Sequence, residues 1–411
     1  MVAIPHENAA GEEKEMSRKR RRLTWDVASD DPRNRGIKAD GKDDKRLKAE
    51  VPSRSRQSSP PRRDDDSVGH YVFSLGENLT PRYKILKKLG EGTFGRVLEC
   101  WDRQTREFVA IKVIRSLEKY RKAAMTEVDV LRRLSENDTC YSHCVQILSW
   151  FDYRNHICIV FERLGPSLYD FLKRNRYHPL PVDLVRDFAR QILECVTYMH
   201  HLRLVHTDLK PENILLVSSE SLMLPSYNRS SGDANTRCLP KSSAIKVIDF
   251  GSSVDDDRIH FSIASTRHYR APEIILGLGW TYPCDLWSVG CILVELCMGE
   301  SLFKTHDNLE HLAMMERVLG PLPVHIVQRA NRGAEKYFRK SRLNWPEGAL
   351  SRESIRSVKK LDRLQDLVSM QLRCPRSSSL LDLLHGLLKF DSSERLTARE
   401  ALNHPFFRTT V

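Results

Sequence analysis

Hydrophobic and polar positions alternate with a period of two from Tyr83, where Tyr83-Lys84-Ile85-Leu86 opens a strand. The same alternation returns in Glu107-Phe108-Val109-Ala110-Ile111-Lys112-Val113-Ile114, after a glycine-rich turn and the segment Glu99-Cys100-Trp101-Asp102. The period then lengthens. Ala124, Val128, Leu131 and Leu134 recur at near-helical spacing and predict a helix over about 118–136. Beyond about Phe161 the pattern is mainly helical, most clearly at 181–201, 282–298 and 308–319. The expectation is an α+β, bilobal domain over 83–407, with a small β-rich lobe at about 83–160 and a large α-rich lobe at about 161–407. Two stretches read as irregular insertions: 217–243, rich in Ser, Asn and Pro, and about 320–365, which contains Arg342-Leu343-Asn344-Trp345-Pro346-Glu347.

Residues 1–75 carry few large apolar side chains and many charges, including a Ser/Arg/Pro stretch at 53–61. Such a segment cannot bury enough apolar surface to offset its ordering entropy, so it reads as a disordered tail, with order expected from near Tyr83. The 411 residues leave room for one two-lobed domain besides it. No apolar run approaches the ~18–20 residues of a membrane span, and no signal peptide opens the chain. The ten cysteines are scattered without a CxxC pair, which fits a reduced intracellular compartment. Cys140-x-x-His143-Cys144 has ligand-type residues, but no second pair follows at finger spacing. The net charge of +12 favours acidic partners or nucleic acid. That charge is patchy: Arg18-Lys19-Arg20-Arg21-Arg22 is compact enough to read as a nuclear-import block, while Arg54, Arg56, Arg62 and Arg63 form a looser group.

The chemistry lies in three separated motifs. Leu89-Gly90-Glu91-Gly92-Thr93-Phe94-Gly95-Arg96-Val97 fits a loop whose backbone amides approach phosphate oxygens without a Cβ in the way. Such a loop alone is weak evidence. It gains weight from Val109-Ala110-Ile111-Lys112, where Lys112 would neutralise the α- and β-phosphates, and from Glu127 on the helix as partner of the Lys112 ammonium. Val205-His206-Thr207-Asp208-Leu209-Lys210-Pro211-Glu212-Asn213 and Asp249-Phe250-Gly251 supply the rest. Asp208 is the expected base, and Lys210 can reach the transferring phosphoryl group. Asn213 and Asp249 offer hard oxygen ligands to Mg²⁺. His206, Pro211 and Phe250 read as loop packing. Glu273 in Arg270-Ala271-Pro272-Glu273 has a distant candidate partner in Arg395, and with Asp285 these read as scaffold.

In this order the motifs resemble eukaryotic protein kinases over about residues 83–407. Glu310-His311-Leu312-Ala313-Met314-Met315-Glu316-Arg317 resembles the signature of the LAMMER kinases, a dual-specificity group acting on Ser/Arg-rich splicing factors, and the match is nearest the plant branch. His206-Thr207-Asp208 and Ser265-Thr266-Arg267-His268-Tyr269-Arg270 look like the same family. The resemblance implies ATP and Mg²⁺, transfer to Ser, Thr and (in autophosphorylation) Tyr, and a nuclear role in pre-mRNA splicing control. It carries over Ala110, Phe161, Glu162 and Leu164 to the adenine pocket, with Phe161 narrowing its back. Asp170, Glu212 and Thr266 carry over to the substrate groove, and Asp170 alternatively to the ribose. The 310–317 segment by itself reads as a packing helix with Leu312, Met315 and Val318 on its apolar face.

Thr207 stands where most kinases have an arginine that grips an activation-loop phosphate, and no tyrosine lies between Asp249 and Tyr269. The expectation is activity without activation-loop phosphorylation. The helix around Glu127 lacks a recognisable cyclin-binding sequence. Expected partners are Ser/Arg-rich splicing factors as substrates, with no membrane and a monomeric chain. The alternative from another class is a catalytically inactive scaffold binding splicing proteins. RNA binding by the tail rests on charge alone, without an aromatic RNA-binding motif.

Overall fold

The computed structural model describes residues 65–136, 142–227, 234–371 and 377–408. The basic block at 18–22, the Ser/Arg/Pro stretch at 53–61 and Cys140 lie outside them.

In the first lobe, alternation builds β1 (Tyr83–Glu91), β2 (Gly95–Asp102) and β3 (Glu107–Ile114), joined as antiparallel neighbours. Helix α1 (Glu118–Glu136) follows, with Ala124, Val128, Leu131 and Leu134 buried as the helical spacing requires. β4 (Ile147–Tyr153) and β5 (His156–Glu162) complete one sheet of order β1-β2-β3-β5-β4. The face turned away from α1 carries Ile85, Leu98, Ile111 and Val160, in a cluster separate from the one α1 joins.

Order begins earlier than the composition of 1–75 suggests. Tyr71 is 5% exposed and Leu79 is fully buried, both in the same cluster as Tyr83 and Ile85. The polar average over 1–75 conceals a short apolar run, Tyr71-Val72-Phe73, that finds a place against the sheet.

The second lobe opens with α2 (Leu168–Arg174) and α3 (Val182–His201). β6 (Leu204–Val205) and β7 (Ile214–Leu216) bracket the 205–213 segment. The predicted irregular insertion at 217–243 is instead largely a hairpin, β8 (Ser221–Tyr227) paired antiparallel with β9 (Ala234–Pro240). β10 (Ile245–Val247) pairs with β7, and β11 (Val254–Asp255) with β6. Thus short ladders fix both ends of the polar segments that carry the chemistry.

α4 (Pro272–Leu276) and α5 (Pro283–Met298) follow, and nearly every residue of α5 is buried. A helix apolar on all sides is a core helix. Its Trp287 stacks on Phe303, with ring centroids 6.1 Å apart. α6 (Asn308–Leu319) is capped by Asp307, whose side chain accepts from the Glu310 amide. His311, Leu312, Ala313, Met314 and Met315 are buried, so the 310–317 segment is a packing element. The region 320–365 also holds short elements below the length at which periodicity is legible: α7 (Val324–Arg329), a hairpin of β12 (Phe338–Arg339) and β13 (Arg342–Leu343), and α8 (Arg352–Lys360). α9 (Leu364–Gln371), α10 (Ser377–Leu387) and α11 (Ala398–Leu402) close the lobe. No helix among the described residues is long and apolar enough to cross a membrane.

Arg395 and Glu273 form a forked ion pair at 2.7 and 2.9 Å, with side chains 0% and 2% exposed. Arg395 also donates to the Pro283 and Lys389 carbonyls. Guanidinium geometry lets one side chain satisfy all of these acceptors, which fixes α4 against the end of the lobe.

Candidate active site

The glycine-rich loop is the turn between β1 and β2. A Cβ on Gly95 would stand 2.2 Å from the Val113 carbonyl, so no other residue fits this register of β2 on β3. Gly90 and Gly92 face open space, leaving their backbone approachable, as a phosphate site requires. Leu89 is partly exposed beside them, and Phe94 at the turn packs edge-on to Tyr120 of α1 at 5.9 Å.

Lys112 lies on β3 opposite Val97 of β2 and Ile159 of β5. Its ammonium donates to Glu127 Oε1 at 2.7 Å and Oε2 at 2.9 Å, and to Asp249 Oδ1 at 2.8 Å. Burial drives the Glu127 carboxyl above its ordinary range. Burial opposes ionisation of Asp249 too, but the Lys112 ammonium outweighs it and holds that group below its usual range. Asp249 has φ +65° and opens the short helical turn Phe250–Ser252. A Cβ on Gly251 would come within 3.2 Å of Glu127 Oε2, so glycine admits the close approach of that turn to α1.

The segment after β6 is pinned from behind. Buried Asp285 accepts the amides of His206 and Thr207, both at 2.9 Å. Although its burial opposes ionisation, His200 and the neighbouring donors hold it below the ordinary carboxylate range. His206 packs against Phe250 with ring centroids 5.3 Å apart. Thr207, at φ +69°, donates its hydroxyl to the Ser252 carbonyl at 2.8 Å. That threonine therefore ties the base of one polar segment to the other without any phosphate.

Asp208 stands at the centre. Its Oδ1 accepts from the Thr266 amide at 3.0 Å and the Thr266 hydroxyl at 2.7 Å. Its Oδ2 accepts from Lys210 Nζ at 2.7 Å, and Lys210 also donates to Thr266 Oγ1 at 3.1 Å. Asn213 Nδ2 donates to the Asp208 carbonyl at 3.0 Å, which turns its amide oxygen the other way. A carboxylate, an ammonium and a hydroxyl thus share one site, with Asp208 and Lys210 side chains 18% and 20% exposed. This arrangement can accept a proton from an incoming hydroxyl and place a cation beside it.

The structure brings together Lys112, Glu127 and Asp249 as one cluster, and Asp208, Lys210, Asn213 and Thr266 as another. Phe161 pairs with Ala110 across β3 and β5. Glu162 ends β5, its carboxylate accepting from the Gln146 amide and from Lys246 at 2.5 Å, while Leu164 is buried just beyond. Asp170 caps its helix with one carboxylate oxygen, Oδ2 accepting the Ser167 hydroxyl at 2.8 Å. Glu212 has an exposed side chain, yet the surrounding protein, Asp208 and Asp170 raise its carboxyl above the ordinary range. Among the ligand-type residues at 140–144, His143 pairs with Glu194 at 2.9 Å. Sequence reasoning missed the acids preceding the sheet: Asp66 meets Arg96 at 3.0 Å and Asp65 meets His156 at 2.9 Å. The signal was the acidic run Asp64-Asp65-Asp66 placed two residues before Gly69-His70-Tyr71.

The oxygen donors Asn213 and Asp249, with Lys112 and Lys210 as cations, fit a Mg²⁺–nucleotide phosphate pair. Magnesium commonly takes one or two protein oxygens and completes its shell with phosphate and water.

The protein kinase domain family matches residues 83–407. Serine/threonine-protein kinase AFC3 of Arabidopsis thaliana is 65% identical over 402 residues, 97% of this chain and 98% of that one. Serine/threonine-protein kinase AFC1 of the same plant is 65% identical over 357 residues, 86% of this chain and 76% of the relative. Dual specificity protein kinase CLK2 of Homo sapiens is 45% identical over 347 residues, 84% of this chain and 67% of its own. A crystallographic kinase domain superposes with a TM-score of 0.77 at 37% identity, covering 84% of this chain and all of that one.

Proposed function

The chain belongs to the LAMMER-type dual-specificity protein kinases, on their plant side, and from this premise we propose that it phosphorylates Ser/Arg-rich splicing factors in the nucleus, using ATP and Mg²⁺. The observation that carries the reading is the completed pair of polar clusters, Lys112–Glu127–Asp249 and Asp208–Lys210–Thr266. When bound, Mg²⁺ neutralises charge on the nucleotide phosphates. Asn213 and Asp249 would hold it, and Lys112 would steady the α- and β-phosphates. Asp208 orients the substrate hydroxyl and takes its proton. Lys210 offsets negative charge on the transferring group, and Thr266 keeps the Asp208 carboxylate aimed.

Support for arginine-rich substrates comes from the acidic setting of the hydroxyl site. Glu212 and Asp208 stand close in the fold, and Asp170, partly engaged by Ser167, adds negative charge. A carboxylate there can pair bidentately with an arginine flanking the target serine. The Thr207–Ser252 link supports activity without a phosphate on the activation segment. The test is Glu212→Gln, assayed on an Arg-Ser-repeat peptide and an Arg-free control. Loss of about 1–3 kcal/mol per charged contact is expected on the repeat alone, with ATP binding unchanged. Equal loss on both peptides would remove the substrate reading.

A further inference from the structure

We propose that residues 65–71 are a strap that positions the glycine-rich loop and α1 over the nucleotide phosphates, with Asp66 as its principal positioning residue. The inference rests on the kinase reading, because it assigns the strap a role in that reaction.

Arg96 is the first anchor. Its guanidinium donates to Glu91 across the β1–β2 turn at 3.0 Å, to the Tyr71 carbonyl at 2.9 Å and to Asp66 Oδ2 at 3.0 Å. One arginine therefore joins both arms of the phosphate loop to the strap. Asp66 is rigid in turn, because its Oδ1 accepts the amides of Val68 at 3.1 Å and His70 at 2.9 Å.

Arg115, just past β3, is the second. It donates to the Val68 carbonyl at 2.6 Å, to the Thr93 carbonyl at the tip of the loop at 3.2 Å, and to Tyr120 of α1 at 3.0 Å. Ser116, next in sequence, donates its amide to the Gly69 carbonyl at 2.9 Å and its hydroxyl to Asp65 at 2.5 Å. The far side of the strap is fastened to the sheet, where Asp65 meets the fully buried His156, and Tyr71 packs on that ring at 5.4 Å. Gly69, at φ +82°, lies so close that a Cβ would press on Leu117 at 3.2 Å.

The strap thus meets the phosphate loop through Arg96, the segment after β3 through Ser116, and, by way of Arg115 and Tyr120, the helix bearing Glu127: the three parts that must agree before Lys112 can serve the phosphates. A free glycine-rich hairpin must be ordered by the nucleotide itself, which weakens binding, whereas a tethered one is already placed. The strap therefore acts mainly on ATP affinity and little on the chemical step.

Steady-state kinetics with ATP varied, on full-length wild type, Asp66→Asn, Asp66→Glu and Gly69→Ala, tests this. Asp66→Asn removes the charge on a partly exposed pair, so KM for ATP is expected to rise about five-fold with kcat within two-fold of wild type. Asp66→Glu should recover part of that loss. Gly69→Ala, which displaces the strap without touching a charge, should move KM in the same direction. An unchanged KM for ATP in folded Asp66→Asn would overturn the proposal, as would kcat falling in step with a lowered thermal midpoint in both Asp66 variants. Should wild type transfer no phosphoryl group, the kinase reading fails, and equilibrium binding of a fluorescent ATP analogue decides the strap separately. About five-fold weaker binding by Asp66→Asn supports it, and equal binding overturns it.

Discussion

Replacing Glu127 by glutamine removes one charge from the cluster proposed to organise the phosphate site and leaves the shape of the side chain intact. In the native chain the Lys112 ammonium is shared between both Glu127 oxygens, at 2.7 and 2.9 Å, and Asp249 at 2.8 Å. Lys112 and Glu127 side chains are only 13% and 4% exposed, so water cannot replace a lost acceptor freely. The amide of glutamine keeps one acceptor oxygen and turns an NH₂ toward the ammonium, so about one charge-assisted bond is lost. Such a bond is worth ~2–3 kcal/mol in a buried setting. The ammonium then relies on Asp249, the carboxylate proposed to hold Mg²⁺, so the loss should fall on turnover. The expectation is a decrease of roughly 30- to 160-fold in kcat/KM. The assay is phosphoryl transfer to a peptide under limiting ATP, with circular dichroism verifying the fold. A folded Glu127→Gln protein within three-fold of wild-type kcat/KM would refute the idea that this contact organises the site.

Other parts of the structure make further demands. Arg395→Met leaves Glu273 buried without its partner, a change worth ~3–5 kcal/mol, so the thermal midpoint should fall by roughly 6–10 °C. A shift under 2 °C would mean that the forked pair is not a structural tie. Glu295 is buried beneath Tyr269, whose hydroxyl donates to it at 2.7 Å, and burial raises its carboxyl to about 7. Because the folded chain holds this proton more tightly than the unfolded chain, the group costs stability as pH rises from about 4.5 to about 7. Glu295→Gln should therefore compare better with wild type at pH 7.5 than at pH 5 in thermal melts. A pH-independent difference would show that Glu295 is ionised throughout.

How much of this was legible in the chain depended on the kind of residue involved. Lys112, Glu127, Asp208, Asn213 and Asp249 were readable because their chemistry admits few substitutes, and the structure places them in two clusters, Lys112 with Glu127 and Asp249, and Asp208 with Asn213. α1, α3, α5 and α6 were legible to within one residue because long periodic segments average out local exceptions. The strap was not. Beside the Asp65 and Asp66 carboxylates, its anchors are the backbone carbonyls of Val68, Gly69 and Tyr71, which no side-chain pattern announces. The β8–β9 hairpin escaped for the opposite reason: its short apolar run Leu222-Met223-Leu224 is interrupted by Pro225 and flanked by polar residues, and tertiary pairing overrides weak local propensity. Thr207 was noticed as a missing arginine, but its bond to Ser252 required coordinates, since φ +69° could not be inferred from a threonine. Asp170 carried two readings, and its capping box with Ser167 adds a third use of the same carboxylate.

The most direct test of the central claim is transfer of radiolabelled phosphate from ATP with Mg²⁺ by wild-type and Asp208→Asn protein, on an Arg-Ser-repeat peptide and an Arg-free control. The account predicts transfer by wild type that favours the repeat and disappears with Asp208→Asn. Undiminished transfer by the folded Asp208→Asn protein, or none by folded wild type, would contradict it.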